Sequence, residues 1–266
     1  MTRRLGLDIG GTNIKLAVLE DERVVDTRTT PTGAEGGPAA VLERAAMLGA
    51  TVGAVDSAGV CLPGVFDAEA GTALVANLPG DWSAVDVPAE LARALGREVV
   101  VLNDGHAFGL AEWRLGAGRG ARDVLCVVCG TGIGGALVLD GRLHRGVGGR
   151  AGEIGHTSIA PDGPGCSCGN RGCLELYAGA HAIARAAGRE TFEDAAAAAR
   201  DGDERAVAAI SDAGTAVGFA LANAVALLMP ERVVIGGGTV AAAGELLLGA
   251  VGEELECGGA GIAPRP

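Results

Sequence analysis

The sequence predicts an α/β protein built of two similar domains that face one cleft. Its 266 residues, 48% of them hydrophobic, can fill one large core or two ordinary ones. Apolar runs rich in strand-forming residues alternate with stretches of helical spacing, as in α/β proteins. A glycine-rich hairpin near the start of the chain recurs in the second half, which favours two related domains. We place their boundary after residue 105, so that the domains comprise residues 1–105 and 106–266.

The first domain should start with two strands joined by a glycine turn. Apolar runs at residues 4–9 and 14–19 flank the turn Gly10-Gly11-Thr12-Asn13. A helix should begin at Gly37-Pro38 and end at Gly49, because proline favours the first helical turn and glycine the position after the last. The other elements expected here are strands at 23–29, 51–60 and 98–102, a helix at 88–95, a turn at 62–64 and an irregular loop at 77–82.

The second domain should open with a helix and then repeat the hairpin. Residues after Asp104 keep helical spacing up to Gly116, which places Asp104 where a strand meets a helix. A strand over 124–129 leads through the glycine-rich stretch 130–135 into a second strand, with Asp140-Gly141 as the hairpin turn. The later elements expected are helices at 174–187, 191–200 and 203–229, a strand at 232–235, and a helix that begins at Gly236-Gly237-Gly238.

The repeat matches without a gap from Gly11 to Val24 and from Gly130 to Leu143. Both copies contain Gly-Thr-x-Ile at the start and Asp-x-Arg near the end. Such matches also arise between unrelated apolar hairpins, so duplication is a hypothesis. If it holds, each half presents one glycine-rich turn to a shared site.

A cluster of histidine and cysteine lies in the glycine-rich segment from Glu153 to Glu175, which has almost no apolar periodicity. Because a hydrophobic core cannot shape such a segment, we infer a structural zinc site. Glu153 and Glu175, at either end, could bind hydroxyl groups. Disulfides or unrelated thiols are the alternative, although a C-x-C pair is too short for an unstrained bridge. The inferred ligands are His156, Cys166, Cys168 and Cys173.

Charge and composition exclude several classes of protein. The net charge is −12, whereas nucleic-acid binding needs a basic surface. The two arginines at the N-terminus precede no apolar segment of the kind found in export signals, and no apolar run has membrane-spanning length. Four cysteines outside the cluster indicate reduced thiols, so we expect a cytoplasmic protein that binds neither nucleic acid nor membrane. These cysteines are Cys61, Cys126, Cys129 and Cys257.

Three glycine-rich turns follow strands and could bring backbone N–H groups close to phosphate oxygens. Two known phosphate motifs do not fit the sequence. The stretch 130–135 resembles a dinucleotide fingerprint, but a strand follows it where that motif requires a helix, and Lys15 lacks the spacing of a P-loop lysine. The alternative is that the glycines only form tight turns. The candidate residues are Gly10, Gly11 and Thr12, then Gly130, Thr131 and Gly132, then Gly236, Gly237 and Gly238.

Two aspartates are candidates for phosphoryl-transfer chemistry. Asp8, just before the first turn, could orient Mg²⁺ or its water shell, or it could be a turn former. Asp104 is the better candidate for a catalytic base that accepts the proton of an attacking hydroxyl. Its alternative role is a helix N-cap, which is common for Asp at such a position.

Seven motifs resemble those of the ROK family of sugar kinases and repressors, notably the bacterial glucokinases. They are D-I-G-G-T at 8–12, L-P-G-V-F-D at 62–67, N-L-P-G-D-W at 77–82, N-D at 103–104, G-T-G-I-G-G at 130–135, E-I-G-H at 153–156 and C-x-C-G-x-x-G-C-x-E at 166–175. The sequence departs from the family where A-N-A usually follows N-D, because Gly105-His106-Ala107 stands there. Relatives also continue with a strand and a helix after the position of Pro266.

The resemblance implies an actin-like ATPase fold (ribonuclease H-like) with ATP and a sugar in the cleft, and a homodimer or homotetramer. It implies that Asp104 is the base and that His156 both ligates zinc and faces the sugar. The glycine turns would bind ATP with Mg²⁺. The implied sugar ligands are Gly64 through its backbone, Asn103, Asp104, Glu153, His156 and Glu175.

Phosphorylation of glucose at O6 is the leading functional hypothesis. A glucose-like cyclitol or an amino sugar such as N-acetylmannosamine is the alternative acceptor, since the same ligands would bind it. A sugar-sensing repressor would need a DNA-binding domain ahead of the first strand, which begins at residue 4 here. A sugar-binding protein without activity is disfavoured, because Asp104 and the glycine turns are intact.

Overall fold

The computed structural model describes residues 2–67, 72–75, 78–83 and 85–258. Asn77 of the N-L-P-G-D-W motif and the side chains of Asp67 and Cys257 lie outside the described part. The chain forms two compact units, Met1–Ala107 with Arg145–Ala151, and Phe108–His144 with Gly152–Pro266. The short segment Arg145–Ala151 thus packs with the first unit although both of its flanks belong to the second, a feature that the sequence does not indicate.

The first unit contains a five-stranded sheet in the order β3-β2-β1-β4-β7. β1 pairs antiparallel with β2 and parallel with β4, and β4 pairs parallel with β7. A separate antiparallel pair, β5 and β6, follows β4. The strands are β1 Arg3–Ile9, β2 Asn13–Glu20, β3 Arg23–Pro31, β4 Ser57–Leu62, β5 Gly64–Asp67, β6 Thr72–Val75 and β7 Val99–Asn103.

Alternation along the first two strands fixes which face of this sheet is buried. Every second residue is buried, Leu5, Leu7 and Ile9 on β1 and then Ile14, Leu16 and Val18 on β2. These side chains join one core with residues of α1 (Gly37–Ala50) and α2 (Val87–Leu95). The sheet is therefore anchored through one face, and its loops at the strand ends are left for other roles.

One prediction in this unit was wrong, and one hairpin was not predicted. Residues 51–56 are not part of a strand, because the Arg3 guanidinium donates to the carbonyls of Val52 (2.7 Å) and Ala54 (3.1 Å) and holds that stretch as an irregular turn. β4 therefore begins at Ser57 and runs on to Leu62. The turn predicted at 62–64 is observed as a bend at Pro63 between β4 and β5, but the β5–β6 hairpin that follows it was not predicted.

The second unit contains a four-stranded sheet in the order β10-β9-β8-β11. It repeats the arrangement of β3-β2-β1-β4, because an antiparallel hairpin lies on one side of the first strand and a parallel strand on the other. The turn between the hairpin strands is one residue shorter, since Ile9 pairs with Ile14 but Cys129 pairs with Ile133. The strands are β8 Val124–Cys129, β9 Ile133–Leu139, β10 Arg142–His144 and β11 Arg232–Gly236.

Helices complete the chain from Asp104 onward: α3 Asp104–Leu115, α4 Glu175–Ala178, α5 Ala180–Ala187, α6 Phe192–Arg200, α7 Glu204–Leu228, α8 Gly238–Ala243 and α9 Glu245–Gly258. Thr191 and Asp203 cap α6 and α7 with their side chains, as expected of these residue types. The single helix predicted over 174–187 is broken, because Gly179 adopts an extended conformation (φ −69°, ψ 152°).

α7 is the one helix of the described residues that is long and apolar enough to span a membrane by length and composition. Its buried face, which includes Ile210, Val217 and Leu221, belongs to the core of the second unit together with Leu247 and Val251 of α9. Such packing is that of a core helix, which meets the same criteria.

Candidate phosphoryl-transfer site

In the first unit, the predicted site residues lie at the carboxyl ends of parallel strands. Asp8 on β1 is the register partner of Cys61 on β4, and Leu62 is the partner of Asn103 on β7. Asp104 follows Asn103 directly. The carboxyl ends of parallel strands are where α/β proteins bind ligands. The structure thus brings Asp8, Asn103 and Asp104 to one sheet edge.

Asn103 is the residue that caps helix α3. Its Oδ1 accepts a hydrogen bond from the backbone N–H of His106, three residues later, at 3.2 Å. Its Nδ2 donates to the Gly64 carbonyl at 2.7 Å, which holds the turn after β4 beside the end of β7. This bears on the helix-cap role considered for Asp104. Because Asn103 supplies the cap, the carboxylate of Asp104 is not committed to it.

The Asp104 carboxyl combines solvent access with an environment that disfavours its charge. One oxygen, Oδ1, accepts from the Gly105 N–H at 2.8 Å. Partial burial raises the pKa of the Asp104 carboxyl, the Gly105 hydrogen bond opposes this, and the negative charge of Asp8 adds to the rise. A carboxylate whose pKa is raised is a better proton acceptor than an ordinary aspartate, as a general base requires.

Cys61 is a neighbour of both carboxylates. Its Sγ donates to Asp8 Oδ1 at 3.5 Å. Burial raises the pKa of the Cys61 thiol far above its ordinary value, and the charges of Asp8 and Asp104 act in the same direction. The thiol is therefore neutral and serves as a hydrogen-bond donor that orients Asp8.

The first glycine turn is closed by its own backbone and by a buried threonine. The Gly10 N–H donates to the Asn13 carbonyl at 3.0 Å. Thr32, fully buried, donates its hydroxyl to the Gly10 carbonyl at 2.6 Å and its N–H to the Thr12 carbonyl at 2.9 Å. The N–H groups of Gly11 and Thr12 donate to no other residue in the described part of the chain. These two groups are therefore available to a ligand.

The second glycine turn has the same organisation. The Gly130 N–H donates to the Gly132 carbonyl at 2.9 Å, while those of Thr131 and Gly132 have no partner among the described residues. A Cβ added at Gly130 would meet no atom within 4 Å, so protein packing does not explain why glycine stands there. Open space beside free N–H groups is what close approach of a phosphate requires.

The third turn packs against the second. A Cβ on Gly237 would lie 2.3 Å from the Cys129 carbonyl oxygen, and one on Gly236 would lie 2.9 Å from Phe108. These two glycines are thus explained by packing, whereas Gly238 has open space around it. Thr239, 2% exposed, directs its hydroxyl at the Gly130 carbonyl at 3.4 Å. The structure therefore brings the second and third turns together within the second unit.

The four inferred zinc ligands converge. Their ligand atoms all lie within 4.8 Å of one another. Cys168 and Cys173 have their sulfurs 3.7 Å apart, and Cys166 Sγ is 3.6 Å from His156 Nδ1. Tetrahedral zinc with Zn–S bonds of about 2.3 Å separates two sulfurs by about 3.8 Å, so the residues fit that metal. His156 faces the cluster with Nδ1, which leaves Nε2 for another partner.

The pKa values of two thiols in the cluster are shifted in opposite directions. Burial would raise the pKa of Cys166, but hydrogen bonds from Cys168, Cys173 and His156 lower it to about 7. Burial and the two neighbouring thiols raise the pKa of Cys173 to about 12. A second thiolate beside the first is thus unfavourable without a positive ion among them.

The zinc segment is joined to the second glycine turn. Glu175, two residues after Cys173, accepts a hydrogen bond at Oε2 from the Ile133 N–H at 3.1 Å. The Ala180 N–H, at the start of α5, donates to the Gly130 carbonyl at 3.0 Å. Glu153 lies at the start of the single turn of 3₁₀ helix Ile154–His156. Glu175 therefore supports the turn as well as being a predicted sugar ligand.

Sequence reasoning missed four residues that hold the site together: Thr32, Cys61, His106 and Thr239. Each makes its contact with a residue distant in the chain. No local pattern distinguishes Thr32 from the neighbouring threonines. His106 could have been found, because it stands where the sequence departs from a family motif.

The chain is similar to proteins of one family over almost its whole length. The model of the "ROK family" matches residues 4–257. A glucokinase of Thermotoga maritima is 36% identical over 275 residues, covering 94% of this chain and 86% of that protein. An N-acetylmannosamine kinase of Citrobacter koseri is 35% identical over 261 residues, covering 91% of this chain and 85% of that protein.

A solved structure extends the similarity to three dimensions. It is a ROK family glucokinase from Streptomyces griseus in complex with glucose and AMPPNP, with a TM-score of 0.85 and 32% identity over 99% of this chain and 92% of that chain. The predicted actin-like α/β fold is thereby confirmed.

Proposed function

The chain belongs to the ROK family, and we propose that it is a sugar kinase that transfers a phosphoryl group from ATP to the primary hydroxyl of a hexose, glucose at O6. The observation that carries this proposal is the state of Asp104. Its carboxylate does not cap α3, because Asn103 does so. It lies at the same sheet edge as Asp8, and its pKa is raised. A base of this kind is what the transfer needs at the acceptor hydroxyl.

The acceptor side of the reaction depends on Asp104. As the sugar O6 attacks, Asp104 accepts its proton, and the Gly105 N–H at 2.8 Å keeps the carboxylate in place. We assign sugar binding to the residues that the motifs imply. In the first unit these are Asn103 and the Gly64 backbone, and in the second Glu153, His156 and Glu175.

The donor side depends on backbone N–H groups. Gly11 and Thr12 in the first turn, and Thr131 and Gly132 in the second, offer four donors that no other described residue uses. The N–H groups of Gly10 and Gly130 donate within their own turns. These two glycines therefore fix the backbone conformation of the turns and leave no donor for the ligand. When bound, ATP would supply the phosphoryl group and Mg²⁺ would neutralise its charge. Asp8, held by the Cys61 thiol at 3.5 Å, would orient the magnesium ion or its water.

Zinc has a structural role in this proposal. His156, Cys166, Cys168 and Cys173 form a closed set of four ligands, which leaves no position for a substrate. The residues that follow Cys173 hold the second glycine turn through Glu175 and Ala180. The cluster thus shapes the neighbourhood of both His156 and the turn.

A second acceptor is an amino sugar. The N-acetylmannosamine kinase of Citrobacter koseri is 35% identical to this chain, close to the value for the glucokinase. A glucose-like cyclitol would use the same ligands. The homodimer or homotetramer implied by the resemblance and the cytoplasmic location both stay predictions.

The test is release of ADP from ATP and Mg²⁺ against a panel of glucose, mannose, N-acetylmannosamine, N-acetylglucosamine and myo-inositol. We expect glucose to give the highest kcat/KM and mass spectrometry to place the phosphate on O6. 6-Deoxyglucose is the matched control, since it keeps the other hydroxyls but cannot accept. ADP release from no member of the panel would refute the proposal, and preference for N-acetylmannosamine would select the second acceptor.

A further inference from the structure

Three polar side chains in the described part of the chain are almost completely buried: Thr32 (0% exposed), His106 (3%) and Thr239 (2%). Buried polar groups need partners, and each of these has a backbone carbonyl. The threonines hold the glycine turns. His106 instead lies with Nε2 at 2.8 Å from the carbonyl oxygen of Ala151, 45 residues further along the chain. Because a carbonyl only accepts, the Nε2 nitrogen carries the hydrogen and donates it.

Ala151 ends a short glycine-rich loop that packs beside β5. The loop, Arg145–Ala151, is closed by the Ala151 N–H, which donates to the Arg145 carbonyl at 2.9 Å. Gly146, Gly148 and Gly149 have φ values of 67°, 63° and 72°. Because glycine has many backbone conformations in the unfolded chain, ordering this loop costs more conformational entropy than ordering other residues. Val147 at its tip is 96% exposed. His106 is the buried side chain that fixes its end.

The other end of the contact is rigid. His106 lies in the first turn of α3, and its own N–H donates to Asn103 Oδ1 at 3.2 Å. Asn103 in turn donates to the Gly64 carbonyl at 2.7 Å. A continuous set of hydrogen bonds therefore connects Gly64, Asn103, His106 and Ala151, all within the first unit.

Ala151 is separated from Glu153 by one residue, Gly152, whose φ is 86°. A shift of the Ala151 carbonyl is thus passed along the backbone to the E-I-G-H motif within two residues. Under the proposed function, on which this step rests, that motif supplies the sugar ligands Glu153 and His156. The E-I-G-H segment lies against Ile133 and Gly135 of β9, but the loop Arg145–Ala151 makes no hydrogen bond to either glycine turn. The second turn is held by Glu175 and Ala180, so we expect it to keep its place when the loop shifts.

We propose that His106 is a positioning residue for the acceptor sugar: its Nε2–H holds the Ala151 carbonyl and thereby sets the place of Glu153. His106 does not touch the sugar itself. It determines the KM for the sugar and leaves the KM for ATP unchanged.

The test compares His106→Gln, His106→Asn and His106→Leu. The amide nitrogen of Gln reaches about as far from the backbone as Nε2 of His106, whereas that of Asn is one bond shorter. Gln can therefore donate to the Ala151 carbonyl and Asn cannot, although the two side chains have the same polarity. We expect the Asn and Leu variants to raise the sugar KM about tenfold, as for loss of a buried hydrogen bond, and Gln to stay within about threefold of the parent. The KM for ATP should not change in any of them.

Hydrogen exchange provides a second measurement that needs no turnover. The Ala151 amide should exchange about tenfold faster in the Asn and Leu variants than in the parent or the Gln variant, with equal melting temperatures for Asn and Gln. Equal effects of Asn and Gln on sugar KM and on exchange would overturn the proposal, as would a rise in the KM for ATP. If the parent phosphorylates no sugar, the proposed function fails, while the exchange comparison still decides whether His106 tethers Ala151.

Discussion

Replacing Asp104 with Asn should remove catalysis while leaving the site intact. Asn retains an oxygen that can accept from the Gly105 N–H, now at 2.8 Å, and it has nearly the same volume. The cap of α3 is unaffected, because Asn103 supplies it. What is lost is the ability to take a proton, and removal of a general base typically lowers kcat by about 10²–10⁴-fold.

The pKa of Asp104 adds two further expectations. Because partial burial raises it, kcat/KM of the parent should fall on acidification at a pH above that of an ordinary aspartate, and the Asn variant should lack this limb. A raised carboxyl pKa also means that the charged form disfavours folding at neutral pH, so the Asn variant should melt at the same temperature or higher.

Three measurements check these expectations: ADP release over a pH series, calorimetric binding of glucose, and thermal melting. Glucose affinity should remain within a few-fold of the parent. Retention of more than about a tenth of kcat would exclude Asp104 as the base. Loss of glucose binding with residual turnover would instead make Asp104 a binding residue.

Two other substitutions address the cluster and the second turn. Cys168→Ser should release about one equivalent of zinc per chain and lower the melting temperature. Cys61→Ser, outside the cluster, should retain the metal. Elemental analysis that finds no zinc in the parent protein would contradict the assignment. Gly130→Ala should fold normally, because its Cβ meets no protein atom within 4 Å, yet raise the KM for ATP about tenfold by filling the space proposed for phosphate. Gly132→Ala is its contrast, since a Cβ there would lie 2.1 Å from Glu175 Oε2 and should displace the Glu175 carboxylate from the Ile133 N–H. An unchanged KM for ATP in the Gly130 variant would argue against a phosphate at this turn.

The parts of the fold that could be predicted are those with strong local signals. β8 was predicted at its observed bounds because its apolar run is flanked by charged residues and glycines. The helices predicted at 191–200 and 203–229 are observed as α6 and α7 with bounds that differ by one residue, because long stretches of helical spacing are a strong local signal. The internal repeat predicted a second glycine-rich hairpin, and β8, β9 and β10 pair with one another as β1, β2 and β3 do.

The parts that failed depend on contacts between distant residues. Residues 51–56 are apolar enough for a strand, but the Arg3 side chain captures their carbonyls. Helix 174–187 is broken at Gly179, where a Cβ would lie 3.0 Å from the Thr131 carbonyl oxygen. Neither contact can be predicted from the local sequence pattern, because tertiary contacts override local propensity.

For the candidate site, residue types carried more information than position along the chain. The histidine and cysteines of the cluster could be predicted to be metal ligands, because a short glycine-rich segment has little other use for these residue types. The structure brings their ligand atoms together. The roles of Asp8, Asp104 and the sugar ligands stay predictions. That Asn103 rather than Asp104 caps α3 could not be inferred, since both are good capping residues and adjacent.

The hydrogen bond from the Ile133 N–H to Glu175 has a consequence for mutagenesis. One carboxylate oxygen holds the second glycine turn, which we propose binds ATP, and the other is proposed to bind the sugar. Truncating this side chain would therefore produce a mixed phenotype, with weaker nucleotide and weaker sugar affinity arising from a single lesion. The loss of activity in such a variant would therefore reflect the binding of both nucleotide and sugar, and not the strength of one contact.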